Sequence, residues 1–368
     1  MIGQLKKHIF NIRGKKTTKK LLVFESDDWG SIRIPDEETR NLLLKKGYIN
    51  EKDPFSRFDT LETKFDLENL CNVLIQFKDS NTNSPVITTN TIVANPDFDK
   101  IKASGFNDYF FEPFTKTYTR FSGSENAFEV FKKGIDSGLL YPQFHGREHL
   151  NVPMWMKLLQ QNNKTFIEAF DVNCFSIDYN DASNKRGNVM ASYDYNSEEE
   201  FSFIQDSINE GLALFENLFG FSSKTFIAPC YVWNEDIEKV FNDKEIKGIQ
   251  GSRFQQMPIK NQLKFKKKFH YTGEVNHFGQ MYFQRNGLFE PSLNRNIDWV
   301  DKCMESIEIA FMWNKAAIIG SHRINFVGGL DRFNSDHNLM LLKELFRRII
   351  KKWPDIEFVT TVDLLNEL

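Results

Sequence analysis

Two hydrophobic periods alternate along this chain. Short apolar runs read as strands buried on both faces, and between them lie stretches with apolar residues three and four apart, which read as amphipathic helices. The first run, Leu21-Leu22-Val23-Phe24, leads straight into Glu25-Ser26-Asp27-Asp28-Trp29-Gly30. A helix follows, opened by Pro35-Asp36-Glu37-Glu38 and stopped at Gly47. Leu67, Leu70, Leu74 and Phe77 place another over 66–79, and 86–90 is a short buried strand. Residues 124–137 are helical up to Gly138, 141–144 form a strand that ends at His145, and Pro153 opens a short helix. A long helix over 197–218 has Ser197 as its N-cap, three Glu behind it and Gly220 as its stop. Further strands fall at 225–228, 316–320 and 356–359, and helices at 234–241, 297–313, 335–351 and 362–368. Residues 246–286 read as short strands and loops. Two stretches carry no period: 91–122, with Tyr109, Phe110, Phe111 and Tyr118, and 164–195, with Tyr179, Tyr193 and Tyr195.

Strands alternating with helices specify an α/β fold on a parallel sheet. Six or seven parallel strands fit a distorted (β/α)7-type barrel, with a doubly wound open sheet as the runner-up. The expected organisation is one domain over 1–368. Residues 1–20 are a lead-in, and about 91–138 and 164–195 are insertions or lids near the substrate site. Chemistry in such barrels sits at the C-terminal ends of the strands. Asp27, Asp28, Asn90, His145 and His322 all fall at such ends.

Composition narrows the class. The chain has 368 residues, 26% of them charged, with a net charge of -3. No global basic field exists to attract nucleic acid or an anionic membrane, and the basic run from Lys15 to Lys20 reads as a solvated approach to the first strand. The four cysteines, Cys71, Cys174, Cys230 and Cys303, show no C-x-x-C pair, which fits a reducing compartment. No signal-peptide core precedes the first strand, and no stretch approaches the roughly 18 apolar residues of a membrane span. The expected location is cytoplasmic.

Two adjacent carboxylates at a strand end read either as a plain acidic turn or as a pair with different tasks, one holding a metal and one a proton, their repulsion relieved by a cation. His145-Gly146-Arg147-Glu148-His149 sets two imidazoles four residues apart, on one side if Gly146 begins a helix. Two His and one carboxylate make a three-ligand site with open positions, the catalytic kind. With these residues in view, the sequence resembles the polysaccharide deacetylases with a NodB-homology domain, the carbohydrate esterase family 4 kind. Asp27-Asp28-Trp29-Gly30 is similar to the family's first motif and His145 to His149 to its second. Phe226-Ile227-Ala228-Pro229-Cys230-Tyr231 is similar to the third, Ile318-Ile319-Gly320-Ser321-His322 to the fifth, and Phe358-Val359-Thr360 through Leu365 to the last strand and helix. The motifs come in the family's order along nearly the whole chain.

The resemblance implies a metal-dependent hydrolase that removes N- or O-linked acetyl groups from a sugar or polysaccharide. Asp28, His145 and His149 would hold a divalent metal, zinc first and cobalt or nickel next. Asp27 would be the general base and His322 the general acid. A backbone donor just after Pro229, from Cys230 or Tyr231, would face the oxyanion. Several positions depart from the family. Trp29 is inserted, as a sugar-stacking wall or as plain packing. Ile227 stands where an Arg steadies the base, with Arg147, Arg253, Arg285 or Arg323 as the substitute. Gly320 replaces a pocket Leu, and Arg323 follows His322 in place of Asp, near the substrate. Asp298-Trp299 is similar to the motif that tunes the acid, or else Asp298 starts a helix. Competing readings are a carbohydrate-binding pseudoenzyme and a glycoside hydrolase with a second carboxylate far from Asp27 in sequence. His8, His270, His277 and His337 read as surface or structural.

Overall fold

The computed structural model describes residues 2–178 and 186–368; Tyr179 lies outside the described residues. Nine strands make the main sheet: β1 (Lys20–Trp29), β2 (Ile87–Ile92), β3 (Leu140–Gly146), β4 (Thr225–Ile227), β5 (Gly248–Gly251), β6 (Met281–Gln284), β7 (Gly287–Leu288), β8 (Ala317–His322) and β9 (Ile356–Phe358). Their order is β6-β5-β4-β3-β2-β1-β8-β7, with β9 added beside the start of β1. Every pairing in it is parallel. The two ends of this path, β6 and β7, belong to one continuous segment. Arg285 donates its N–H to Gly251 on one side, and Asn286 donates to Ile318 on the other. The sheet therefore wraps into the expected distorted β/α barrel, with helices between most successive strands and a hairpin in place of one between β5 and β6.

Alternation along the strands layers the barrel interior. Leu21 and Val23 of β1 pack with Phe283 and Ile318 as an apolar floor. Above it, on the same face, come Glu25, Arg285 and Gly320, and above those Asp27 and His322. The outward residues Leu22 and Phe24 enter the main core with Ile319, Phe289 and Phe346. Polar layers appear only near the C-terminal mouth, and there the ladders are irregular. Ser26 pairs with Thr89 but Trp29 with Thr91, so one extra residue bulges out of β1 at the Asp pair. A second irregularity falls between Phe144 and Gly146, at His145. Asp28 has φ of 75°, a strained value for a residue with a side chain.

Most helices follow the apolar period and their caps. Asp36 caps Glu37–Lys46 by accepting from Thr39, and Gly47 ends it at φ 71°. Ser197 caps Glu198–Phe219 and Gly220 stops it. Three stretches depart from the reading. The lead-in carries a helix, Ile2–Ile12. The 91–122 stretch holds a ribbon of Ala94–Pro96 with Phe111–Pro113, plus the helices Phe98–Ala103 and Phe114–Tyr118. The helix Lys164–Phe170 lies within 164–195. The pieces within 91–122 and 164–195 are too short to display a period, and Phe98, Ile101, Phe166 and Phe170 join a second core around Trp155. Among the described residues, no helix is long and apolar enough to cross a membrane.

Candidate metal centre

Asp28, His145 and His149 converge at the mouth of the barrel. One ligand atom from each lies within 4.8 Å of the others, and all three side chains are buried. His149 Nε2 is 3.4 Å from Asp28 Oδ1. The pair is not two residues on one helix face. His145 ends β3, Gly146 turns at φ 140°, and His149 sits on the bend before the helix Val152–Gln160. Gly146 permits that turn because a side chain rarely adopts such a φ.

The donors fit a cation. His145 Nδ1 faces the Ile227 carbonyl at 2.9 Å. A carbonyl only accepts, so Nδ1 carries a proton, and a neutral His145 turns its Nε2 lone pair to Asp28 Oδ1, 3.2 Å away. Burial holds His149 down to about 3, against the pull of Asp28, so its ring is neutral. His149 Nδ1 is buried without a hydrogen-bond partner among the described residues. Lone pairs facing a carboxylate leave a place that only a cation or a proton stabilises. Arg33 takes the other oxygen of Asp28 at 3.1 Å, which turns Oδ1 toward the imidazoles. Although burial opposes ionisation, the Arg33 guanidinium holds Asp28 well below the carboxylate range. The centre joins a larger buried network, in which Glu25, Asp27, Asp28, Asp59, Glu62 and Glu290 are linked through Arg33, Arg285, Arg323 and His322. Burial raises Glu25 and Asp59 within it, against the pull of their guanidiniums.

Asp27 is bound on both oxygens. Arg285 Nη1 donates to Oδ2 at 2.7 Å and Nη2 to Oδ1 at 2.6 Å, while Asn90 Nδ2 reaches Oδ1 at 2.7 Å. Burial works against the charge, yet Arg285 brings Asp27 down to about 2. Arg285 Nε is itself held by Glu25 at 2.7 Å. So the guanidinium that Ile227 does not supply arrives from the segment between β6 and β7. Arg147 is paired with Glu148 and Glu210, Arg253 lies exposed beside Phe10, and Arg323 is committed elsewhere. Gly320 makes room for this arrangement, since a Cβ there would lie 2.4 Å from Arg285 Cδ.

His322 Nδ1 donates to Glu290 Oε1 at 2.6 Å, and its Nε2 is 3.7 Å from Asp27 Oδ2. Burial lowers its affinity for protons, but Glu290, then Asp27 and Asp28, raise it to about 9. Phe55 lies edge-on to His322 at 5.4 Å, and the Arg33 guanidinium sits 5.2 Å from the same ring.

Several expected residues take other roles. Trp29 is fully buried, donates to Ser26 Oγ at 3.0 Å and stacks on Phe326, so it is packing and not a sugar wall. The bulge absorbs the extra residue and turns the indole outward into the core. Arg323 is also fully buried, held by Asp59 at 3.0 Å and Glu62 at 2.7 Å, away from any substrate. Asp298 caps the helix Trp299–Met312 by accepting from Asp301, and the place beside His322 belongs to Glu290. Pro229–Tyr231 is a single turn with Cys230 and Tyr231 both at positive φ. The Tyr231 N–H is bonded to Ala228, and its hydroxyl accepts from Arg285 at 3.2 Å. Burial pushes the Cys230 thiol up to about 12, so it is no nucleophile at neutral pH. His270 is buried against Gln255, and His277 is exposed beside Glu235.

No protein-family model and no curated protein matches the sequence. Solved structures do. A 4-alpha-glucanotransferase from Thermococcus litoralis aligns at TM-score 0.46 and 10% identity, over 95% of this chain but 40% of its own. A putative polysaccharide deacetylase from Mycobacterium smegmatis aligns at 0.41 and 10%, over 97% of this chain and 94% of its own. The Puue allantoinase aligns at 0.49 and 7%, over 95% and 90%. At such identities none of them bears on the chemistry.

Proposed function

We propose that this chain is a metal-dependent hydrolase that removes an acetyl group, N- or O-linked, from a sugar or glycan. The observation that carries the reading is the convergence of Asp28, His145 and His149 beside a carboxylate and an imidazole, Asp27 and His322, only 3.7 Å apart. The donor set of two imidazoles and a carboxylate suits zinc, with cobalt or nickel as alternatives. A divalent cation held there would acidify a water and polarise the acetyl carbonyl. Asp27, ionised and fixed by Arg285, accepts the proton of the attacking water. His322, charged at neutral pH, returns a proton to the leaving amine or alcohol. The Cys230 N–H is the candidate donor to the oxyanion, the Tyr231 N–H being already bonded.

A glycoside hydrolase is less well supported. It needs a second free carboxylate beside Asp27, but Glu290 is held by His322 and Asn325, and Glu25 by Arg285 and Thr361. A carbohydrate-binding pseudoenzyme would have no need of a base and an acid poised in opposite charge states. Metal analysis and acetate release test the reading together. Wild type is expected to carry about one zinc, cobalt or nickel per chain and His145→Ala/His149→Ala at least about tenfold less. Asp27→Asn should lower the rate of acetate release by about 10²–10⁴. Equal metal in both proteins, or full activity in Asp27→Asn, refutes it.

A further inference from the structure

The helix Ile2–Ile12 is amphipathic but sits the wrong way round. Leu5, Ile9 and Ile12, one above another at helical spacing, are 61%, 56% and 50% exposed. Its polar side faces the protein instead. Asn11 is buried, donates to the Lys7 carbonyl at 2.9 Å and accepts from Asn286 at 3.1 Å. Lys7 pairs with Glu305, and Trp313 donates to His8 at 3.1 Å. A helix on a water-soluble surface turns its apolar stripe inward, so this ridge calls for a partner.

The charge beside it says what kind. Residues 1–20 contain seven Lys or Arg and no Asp or Glu, in a chain whose net charge is -3. Lys7, Lys19 and Lys20 pair with acids of the protein and Lys15 meets the Leu368 carbonyl, so the exposed Arg13 and Lys16 carry the charge of this segment toward a partner. Next to the helix stands a hairpin of Phe254–Met257 with Lys266–Phe269. All four residues of Lys266–Phe269 are exposed, as is Lys264, while Phe269 and Leu263 are 71% and 62% exposed. The two features are joined. The Arg253 guanidinium lies 5.8 Å from the Phe10 ring, and the Lys15 N–H donates to the Thr272 carbonyl at 2.9 Å.

We propose that this helix and hairpin form a docking surface for an anionic lipid bilayer. Apolar side chains enter the boundary of the acyl chains while lysines meet the headgroups, the arrangement of interfacial helices. A nucleic acid would use the lysines but leave the ridge in water. A second copy would bring two strongly cationic segments together. The net charge of the chain does not oppose the contact, because interactions beyond about 8 Å are screened at physiological salt.

Vesicle co-sedimentation of the full chain tests this independently of any catalytic assignment. Vesicles with about one-third phosphatidylglycerol in phosphatidylcholine should bind the protein, and pure phosphatidylcholine vesicles at least about tenfold less. Leu5→Glu/Ile9→Glu and, separately, Lys266→Glu/Lys267→Glu/Lys268→Glu should each reduce binding about tenfold or more, with unchanged circular dichroism and thermal melts. Three results overturn the proposal: equal binding to neutral and anionic vesicles, wild-type binding by a melt-intact Leu5→Glu/Ile9→Glu, or a wild-type dimer that this variant converts to monomer.

Discussion

Replacing Glu290 with Gln isolates the electrostatics of His322. The side chains are nearly isosteric, and Gln keeps an acceptor for His322 Nδ1, so the change is the charge plus the one hydrogen bond accepted from Asn325. The rise of His322 from 6.5 to about 9 corresponds, at about 1.4 kcal/mol per pH unit, to a ceiling of about 3 kcal/mol. Asp27 and Asp28 share in that rise. Removing Glu290 is therefore expected to cost about 1–2 kcal/mol at pH 6 and to bring the ring down to about 8. The folded chain binds this proton more tightly than the unfolded one. Its contribution is complete below about 6.5 and is lost as pH climbs through about 9. The assay is urea denaturation of EDTA-treated protein at pH 6 and pH 9.5, which leaves Asp28 without a competing cation. Other groups titrate across that window, but the difference between wild type and Glu290→Gln cancels them. Wild type should lose the extra stability, and the variant should lose about 1–2 kcal/mol less. A ring ¹H–¹³C NMR titration supplies the second reading, with the His322 signal moving near pH 9 in wild type. If His322 titrates at the same pH in both proteins, Glu290 does not set its charge and the acid assignment loses its support.

Other substitutions probe the remaining contacts. Gly320→Leu puts a Cβ 2.4 Å from Arg285 Cδ; overpacking should cost about 1–3 kcal/mol in thermal melts, and acetate release should fall as Asp27 loses its fork. Trp29→Ala should destabilise by about 3–5 kcal/mol in chemical denaturation with KM for the glycan unchanged, whereas a raised KM at intact stability would restore a sugar-binding role. Arg323→Met strands Asp59 and Glu62 in the core and should cost about 3–5 kcal/mol by the same assay.

How much of this was legible depended on the range of the interaction. Strand runs, caps and the strand-end position of Asp27, Asp28, His145 and His322 are local properties, readable from apolar spacing and turn residues. Partners across the barrel are not. Glu290 lies 32 residues before His322 with a helix between them, and nothing in its neighbours marks it. Arg285 was one of four candidates because an Arg side chain says nothing about where its strand will sit. Glu25 did carry a signal: it stands two residues before Asp27 in an otherwise apolar run, which puts both on the inner face. At Trp29 and Asp298 two readings stood side by side and the plainer one holds, because a bulge turned the indole into the core and a cap took the carboxylate.

The two least family-like positions turn out to be one adaptation. Ile227 lacks a guanidinium and Gly320 lacks a side chain, and taken singly each looks like decay of a catalytic site. Arg285 connects them. Its stem fills the space above β8 that a side chain at 320 would need, and its fork meets both oxygens of Asp27. Glu25 fixes its Nε and is itself bonded by Thr361 at the start of the last helix. A chain drifting away from function has no reason to bury a guanidinium and two carboxylates below the mouth of a barrel, where each would be costly unpaired. Drift would more readily leave Asp27 unsupported or replace it with an apolar residue. The arrangement instead keeps Asp27 ionised and aimed beside His322 by a different route, and that favours a working hydrolase over a binding relic.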